Sequence, residues 1–279
     1  MSQFSLVLIL LGAALMHAVW NAVVKFDGNK LYILSMIDGM AMLVGLVLLP
    51  FASFPEAQVW PYLAISVVLN ILYRIFLIKA YELGEFSRVY PLVRGLPPLA
   101  VTLLAVFFLG EEVSVLNLLG IGFISLGIIS VMAVKFGGHR RTIIFSLFSG
   151  LCIALYTLAD GMGIRESKDL FSYIIWFTVL ENMPFPLYTT LFHRPEFKSF
   201  LKASYRRGLI GGFNAAAGYG IVLWAMTFAN LGSVSALRES CILFATLIGI
   251  FFFKEGLGIQ KIIASTAIVS GIFLIQFSL

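Results

Sequence analysis

A chain of 279 residues in which 60% are hydrophobic and only 12% are charged is not a soluble protein, because a soluble surface needs far more polar side chains. A lipid bilayer accepts this composition, provided that the backbone groups hydrogen-bond within helices. The formal net charge of +5 comes from basic residues between apolar segments, so it does not indicate a nucleic-acid partner.

Apolar segments of helical length follow one another along the chain. Crossing ~30 Å of hydrocarbon takes roughly 20 helical residues, and polar interruptions divide the sequence into ten such spans. The first span has no Lys or Arg before it and is too long for a signal-peptide core, so we expect a retained helix. The sequence predicts an all-α integral membrane protein with ten transmembrane helices. The spans cover about residues 3–24, 31–54, 60–79, 88–109, 115–134, 143–162, 170–192, 206–228, 233–253 and 257–277.

Basic residues between the spans predict the orientation. Fourteen Lys and Arg fall on one side of the ten-helix arrangement, whereas only Arg165 and Lys168 fall on the other. The positive-inside rule then places both termini outside the cytoplasm. We expect a multi-pass protein of the cell membrane, namely a bacterial inner membrane.

The sequence repeats itself at a shift of 144 residues. Arg94 then aligns with Arg238. Each half, 1–136 and 142–279, holds five spans, and because five is odd the two halves run through the membrane in opposite directions. Inverted repeats are typical of secondary transporters, which bind substrate near the bilayer midplane between the halves.

Three arginines and four acidic side chains remain inside the spans. Each costs at least ~2.5–3.5 kcal/mol at a helix centre, so we expect them to face the interior of the bundle. They could be ion pairs that fix helix packing, or they could form a polar site or proton path. The match of positions across the repeat favours the functional reading for the set. The seven are Asp38, Arg74, Arg94, Asp160, Glu181, Arg238 and Glu239.

A polar stripe follows the first span. His17 and Asn21 are four residues apart and share one helical face, with Trp20 beside them. At a shift of 139 residues, His17 aligns with Tyr156 and Asn21 aligns with Asp160. Such a stripe marks a helix face that is turned away from lipid.

The repeat-matched arginines have different surroundings. Three prolines between residues 91 and 98 are expected to loosen the fourth span around Arg94. In the ninth span, Glu239 lies about 100° around the helix from Arg238, so the two need not pair. A guanidinium can bind a carboxylate or a phosphate through two bonds, which makes both arginines candidate anion ligands.

Motifs for enzymatic catalysis and metal binding are missing from the sequence. It contains no HExxH, GxSxG or paired-Asp protease motif. Cys152 and Cys241 lie alone in different spans, and the three histidines are scattered. We therefore expect no enzymatic activity, no cofactor and no metal.

Five short motifs resemble the EamA branch of the drug/metabolite transporter superfamily. They are HAVWN at 17–21, YPLVRGLPP at 90–98, LGE at 109–111, YTLADG at 156–161 and SALRES at 235–240. The resemblance covers the whole chain as two five-helix repeats. It implies that the third, fourth, eighth and ninth helices line a central cavity, although the family is usually described with both termini in the cytoplasm. The residues it places near substrate are Asn70, Arg74, Arg94, Asn214, Tyr219, Trp224 and Arg238.

These observations together predict a secondary transporter that exports a small polar or zwitterionic metabolite, such as an amino acid, by alternating access. The partners are the substrate and the bilayer, and a monomer and a homodimer are both open. The candidate substrate-binding residues are the seven above with Trp20 and Tyr156. The candidates for proton coupling are His17, Asp38, Asp160, Glu181 and Glu239.

Three alternatives stay open. The arginines could serve phosphorylated or lipid- or nucleotide-linked sugar metabolites, but the acids inside the spans outnumber them, which favours a zwitterionic or cationic cargo. An intramembrane enzyme lacks a gathered nucleophile, and a structural membrane subunit would not need repeat-matched ionisable positions.

Overall fold

The computed structural model describes residues 3–27, 29–83, 86–130, 140–253 and 258–277. Within these ranges the chain is helical and has no β-strand. A 3-10 turn at Leu49–Phe51 continues the second helix. The helices are α1 (Gln3–Phe26), α2 (Lys30–Leu48), α3 (Trp60–Leu83), α4 (Phe86–Leu109), α5 (Val115–Ser130), α6 (Arg140–Glu166), α7 (Leu170–Asn182), α8 (Pro184–Phe192), α9 (Arg194–Ala225), α10 (Leu231–Glu239), α11 (Cys241–Phe253) and α12 (Ile259–Gln276).

These twelve helices correspond to ten spans, because two spans each consist of two helices. One span breaks at Met183, between α7 and α8, and the other breaks at Ser240, between α10 and α11. In the described ranges, seven helical stretches are long and apolar enough to cross a membrane by length and composition. The prediction of an all-α integral membrane protein with ten spans in two inverted repeats is confirmed.

The fourth span is not interrupted where its prolines predicted, whereas the break at Met183 directly precedes Pro184. Helix α4 continues through Pro97 and Pro98, and the Thr102 hydroxyl donates to the Pro98 carbonyl at 2.7 Å. A proline removes one backbone bond, and packed neighbours can satisfy the freed group without ending the helix. The ninth span, which has no proline, ends its first helix beside Ser240, where the amide bonds the Leu237 carbonyl three residues back at 3.2 Å.

The packing between the halves is reciprocal. Helix α1 packs against α9 and α11, and its repeat counterpart α6 packs against α3 and α4. Helices α4 and α10 contact each other, as do α5 and α12. Each contact has its repeat equivalent, as two inverted halves require, and the arginine-bearing helices α4 and α10 meet at the interface between the halves.

Glycines allow the closest of these approaches. A Cβ added at Gly271 would lie 2.5 Å from the Gly120 carbonyl oxygen, so α5 and α12 touch backbone to backbone. A Cβ added at Gly212 would lie 2.5 Å from the Met40 Cβ, where α9 packs on α2. Large apolar side chains such as Phe107 instead stand exposed on the outside of the bundle, as lipid contact demands.

Candidate functional site

The centre of the site is the Glu239 carboxylate, which binds both repeat-matched arginines. Arg94 Nη1 donates to both carboxylate oxygens at 3.3 Å. Arg238 Nε donates to Oε1 at 3.1 Å, and its Nη2 lies 3.0 Å from the same oxygen. All three residues are buried. The repeat alignment thus predicted two residues that converge on one carboxylate.

The pairing of Glu239 with Arg238 differs from the sequence expectation. Neighbouring residues point about 100° apart on a regular helix. Helix α10 ends at Glu239, however, and both long side chains leave its last turn toward Arg94 of α4. The three charges therefore meet at the last turn of α10, just before the break at Ser240.

One carboxylate does not neutralise two guanidinium groups. The trio carries a net charge of +1 when all three groups are ionised. Nη1 of Arg238 has no hydrogen-bond partner among the described residues, although the atom is buried. An unsatisfied charged donor in the interior is costly, which makes this position suited to an anion.

Tyr219 of α9 connects the arginine trio to Asp160 of α6. The Arg238 guanidinium carbon lies 5.9 Å from the centroid of the tyrosine ring. The tyrosine hydroxyl donates to Asp160 Oδ2 at 2.5 Å. Phe177 stacks on the ring at 5.3 Å between centroids, which fixes its plane. A cation, a ring and a fully buried carboxylate therefore follow one another in the core.

The polar stripe of α1 reaches the same ring. His17 is buried, and its Nδ1 lies 3.0 Å from the Ala13 carbonyl oxygen. The imidazole centroid is 6.2 Å from that of Tyr219 and 6.3 Å from that of Trp20. Gly218 makes room for the imidazole, because a Cβ there would lie 3.0 Å from Nδ1.

Two further candidates are buried close to this core on α6 and α3. Tyr156 is 6% exposed, and its ring centroid lies 6.1 Å from that of Tyr73. Asn70 is also buried, on the same helix as Tyr73. Both therefore face the interior of the bundle.

A second charge network joins Asp38, Arg74 and Glu181. Arg74 Nη1 donates to Asp38, and Nη2 donates to Glu181 Oε1 at 3.3 Å. The guanidinium carbon lies 4.7 Å from the centroid of the Phe185 ring. The network ties α2 and α3 of the first half to α7 and α8 of the second. Its net charge is −1 when all three groups are ionised.

The structure does not bring Asn214 and Trp224 into these networks. The Asn214 amide donates to the Ile210 carbonyl of its own helix at 2.8 Å. Trp224 lies near the end of α9, with its centroid 4.9 Å from that of Phe228. Neither forms a hydrogen bond or a ring contact with an arginine among the described residues.

An ion pair that sequence reasoning missed lies at the end of the bundle that has few basic loops. Arg165 Nη1 lies 2.6 Å from Glu111 Oε1, and the guanidinium also donates to the Met226 and Ala229 carbonyls. The other oxygen of Glu111 accepts from the Leu231 amide at 3.0 Å, at the start of α10. Glu111 thus connects the first half to the helix that carries Arg238.

A signal for this contact was present in the LGE motif. Gly110 has a φ of +63°, a conformation that glycine adopts most easily, and it turns the chain so that Glu111 leaves the end of α4. The ion pair lies beside a cavity of about 340 Å³ that Thr227 and Asn230 also line.

The same end of the bundle is closed by a second contact between the halves. The Ser53 amide donates to Ser172 Oγ at 2.7 Å, and the Ser53 hydroxyl donates to Asp169 at 3.1 Å. Asp169 lies outside the spans. The pKa of Asp169 is held below its usual value mainly because its carboxylate accepts a hydrogen bond from the Ser172 hydroxyl, and next because it accepts one from the Ser172 amide.

The opposite, basic end is closed as well. Arg207 Nη1 of α9 donates to Asp27 at 2.8 Å, across the two halves. The Tyr32 ring packs against Phe197 at 5.8 Å between centroids. Contacts between the halves at both ends therefore enclose the buried charges.

Comparison with known proteins identifies the kind of protein to which this fold belongs. A solved crystal structure of a protein superimposes with a TM-score of 0.75 over 98% of this chain and 97% of that chain, at 17% sequence identity, which shows a shared fold. No curated protein sequence matches the chain. The model of the EamA-like transporter family matches residues 4–133 and again residues 140–277. The chain belongs to the EamA-like transporter family.

Proposed function

We propose that this transporter moves a small zwitterionic metabolite, such as an amino acid, by alternating access. One observation carries the proposal: Arg94 and Arg238 come from opposite halves and share the single buried carboxylate of Glu239. A site between inverted repeats is exposed to each side of the membrane in turn when the halves rock against each other.

The trio provides a way to exchange an internal anion for an external one. A substrate carboxylate can take the place of the Glu239 carboxylate on one guanidinium, because both groups accept the same pair of N–H bonds. The burial of the trio makes an unpaired arginine costly, so the exchange is favoured over simple loss of Glu239.

Proton coupling is part of the proposal, with the buried acids and His17 as candidate carriers. The buried groups nearest to this exchange are Asp160, through Tyr219, and His17. Export and an orientation with both termini outside the cytoplasm are part of the proposal, supported by the distribution of loop charges.

A second candidate cargo is a phosphorylated metabolite, including a lipid- or nucleotide-linked sugar. The convergence of two guanidinium groups on one carboxylate favours it, since phosphate binds arginine in the same bidentate way. The carboxylates at Asp160, Asp38 and Glu181 oppose it, because they would repel a doubly charged anion.

The test is flux through the purified protein in proteoliposomes. Amino acids, amines and organic phosphates are each offered with and without a pH gradient. We expect saturable flux of amino acids, accelerated by the gradient. Flux of phosphate esters in place of amino acids would support the second cargo, and the absence of saturable flux for every class would contradict a metabolite transporter of this kind.

A further inference from the structure

Asp160 differs from the other acids inside the spans. Asp38 and Glu181 pair with Arg74, and Glu239 pairs with two arginines. In the part of the chain that the structure describes, no Lys or Arg pairs with Asp160, although this side chain is fully buried. Its Oδ2 accepts from Tyr219, while Oδ1 has no hydrogen-bond partner among the described residues.

Two hydroxyl groups lie beside Asp160. Thr157 lies three residues before it on α6, which places both side chains on one helical face. The Ser66 hydroxyl of α3 approaches the Asp160 carboxylate as a donor from across the helix interface. Thr157 Oγ1 has no hydrogen-bond partner within the described residues, and both hydroxyl residues are 0% exposed.

The packing of α3 on α6 brings these three oxygens to one level. A Cβ at Gly163 would lie 2.8 Å from the Tyr62 Cβ, near one end of the contact. Toward the other end, the Ser149 hydroxyl donates to the Tyr73 carbonyl at 3.2 Å. The two helices are therefore antiparallel here, and this register sets Ser66 opposite the turn of α6 that carries residues 157–160.

A buried carboxylate that no Lys or Arg of the described residues neutralises favours a donor with positive charge, and the Thr157 and Ser66 hydroxyls beside it can accept further hydrogen bonds. A primary ammonium group has three N–H donors and no acceptor, which matches the number and the kind of these atoms. A protonated carboxyl supplies a single donor, and hard divalent cations take six or more oxygen ligands. An ammonium ion is thus the group that satisfies all three oxygens.

The arrangement also sets the ammonium beside the anion end of the site. Tyr219 touches both ends, since its hydroxyl bonds Asp160 and its ring lies beneath Arg238. One tyrosine side chain therefore separates the two charged ends. The repeat counterpart of Asp160 is Asn21, which is neutral and donates to the His17 carbonyl at 2.7 Å, so this feature belongs to one half of the protein.

We propose that Asp160, Thr157 and Ser66 form a subsite for the primary ammonium group of the cargo, opposite the arginines that take its carboxylate. This inference rests on the proposed function and specifies the substrate class: amino acids with a free amino group. In the enclosed conformation the subsite is shut, and it is loaded when the first half, which carries α3, moves relative to the second half, which carries α6.

The test compares chemical analogues of one cargo on matched variants. The probe is the L-amino acid with the strongest flux into proteoliposomes. Its competitors are the hydroxy acid that lacks the amino group and the N-trimethyl derivative that lacks N–H donors. The variants are Asp160→Asn and Thr157→Val, and the control is Glu166→Gln, an exposed carboxylate at the end of α6.

We expect Asp160→Asn to raise the KM for the amino acid at least ~10-fold, and Thr157→Val to raise it by ~3- to 10-fold, because each loses bonds to a charged group. We expect the inhibition constant of the hydroxy acid to stay within about twofold of the native value in both variants. If Asp160 and Thr157 had only a structural role, their substitution would weaken the binding of the hydroxy acid as well. On the native protein, the N-trimethyl derivative competes at least ~10-fold more weakly than the amino acid.

Two results would overturn the ammonium subsite while leaving the transporter intact. One is an unchanged amino-acid KM in both variants; if Asp160→Asn does not fold, Thr157→Val decides. The other is amino-acid flux that occurs in Na⁺ buffer but not in choline buffer, and that the hydroxy acid inhibits as strongly as the amino acid does. That result would indicate a metal-cation site. Flux of phosphate esters alone would instead contradict the proposed cargo, and with it this subsite.

Discussion

Removing the charge of Glu239 is expected to destabilise the protein strongly. Glu239→Gln keeps the size of the side chain and removes the charge of the carboxylate that two buried guanidinium groups share. Breaking a buried ion pair in this way costs about 3–5 kcal/mol. For a chain of this size, each kcal/mol lowers Tm by about 2–4 °C, so a decrease of about 6–20 °C is expected.

The assay is thermal unfolding of the detergent-purified protein, followed by tryptophan fluorescence. Glu196→Gln is the matched control, because this glutamate lies exposed at the start of α9, and its Tm should move by less than about 1 °C. A double variant with Arg94→Gln adds a specific check. Removing one cation should recover at least ~1 kcal/mol of the loss, as coupled neighbours do.

A fall in Tm of less than about 2 °C for Glu239→Gln would refute this reasoning. It would mean that water or another anion already satisfies the arginines, and that Glu239 is not their counter-ion. The double variant separates the two explanations, since additive losses would show that Arg94 and Glu239 do not interact.

Three further results are expected. Arg165→Gln should lower Tm by less than half of the fall for Glu239→Gln, because its side chain is 32% exposed. It should also increase labelling of Thr227→Cys by an impermeant thiol reagent about fivefold, and unchanged labelling would mean that the Arg165–Glu111 ion pair does not close this end of the bundle. Because the folded-state pKa of Asp169 is lowered, its carboxylate stabilises the fold at pH values above the ordinary pKa of 3.8, and this stabilisation is lost as pH falls through the lower folded pKa. Below about pH 4, the Tm of Asp169→Asn should therefore fall less steeply than the native Tm. Identical pH profiles of the two proteins would contradict a stabilising role of this carboxylate. Gly212→Ala should lower the free energy of unfolding by about 1–3 kcal/mol, because its Cβ overpacks against α2. Gly122→Ala should leave Tm unchanged, because a Cβ there meets nothing within 4 Å. Equal changes of Tm in the two variants would contradict the close packing of α9 on α2.

The fold and much of the buried charge could be predicted because both follow from the free-energy cost of polar groups in the bilayer. The length of each apolar segment identifies a membrane span, and an ionisable side chain inside a span must face the interior of the bundle. The repeat alignment then matched Arg94 with Arg238, which the structure brings to one carboxylate. These inferences need no knowledge of which helix packs against which.

What could not be predicted depends on contacts between distant segments. The break at Ser240 has no proline or glycine to mark it, and the contact of Glu239 with Arg94 of α4 joins segments that are far apart in the sequence. Ser66 and Thr157 are neutral hydroxyls of a kind found on many apolar helices, so they become notable only when the register of α3 on α6 is known. Asn214 shows the converse, since a polar residue expected near the substrate can instead bond to its own helix.

The central claim is that the buried arginines lie on the path of the cargo. The most direct measurement is amino-acid flux into proteoliposomes for the native protein, Arg238→Gln and the control Arg206→Gln, whose side chain is exposed on α9. We expect flux to fall at least ~10-fold in Arg238→Gln, while Arg206→Gln transports as the native protein does. Native flux in a folded Arg238→Gln would contradict the claim and leave Arg238 as an ion pair that only holds α10 in place.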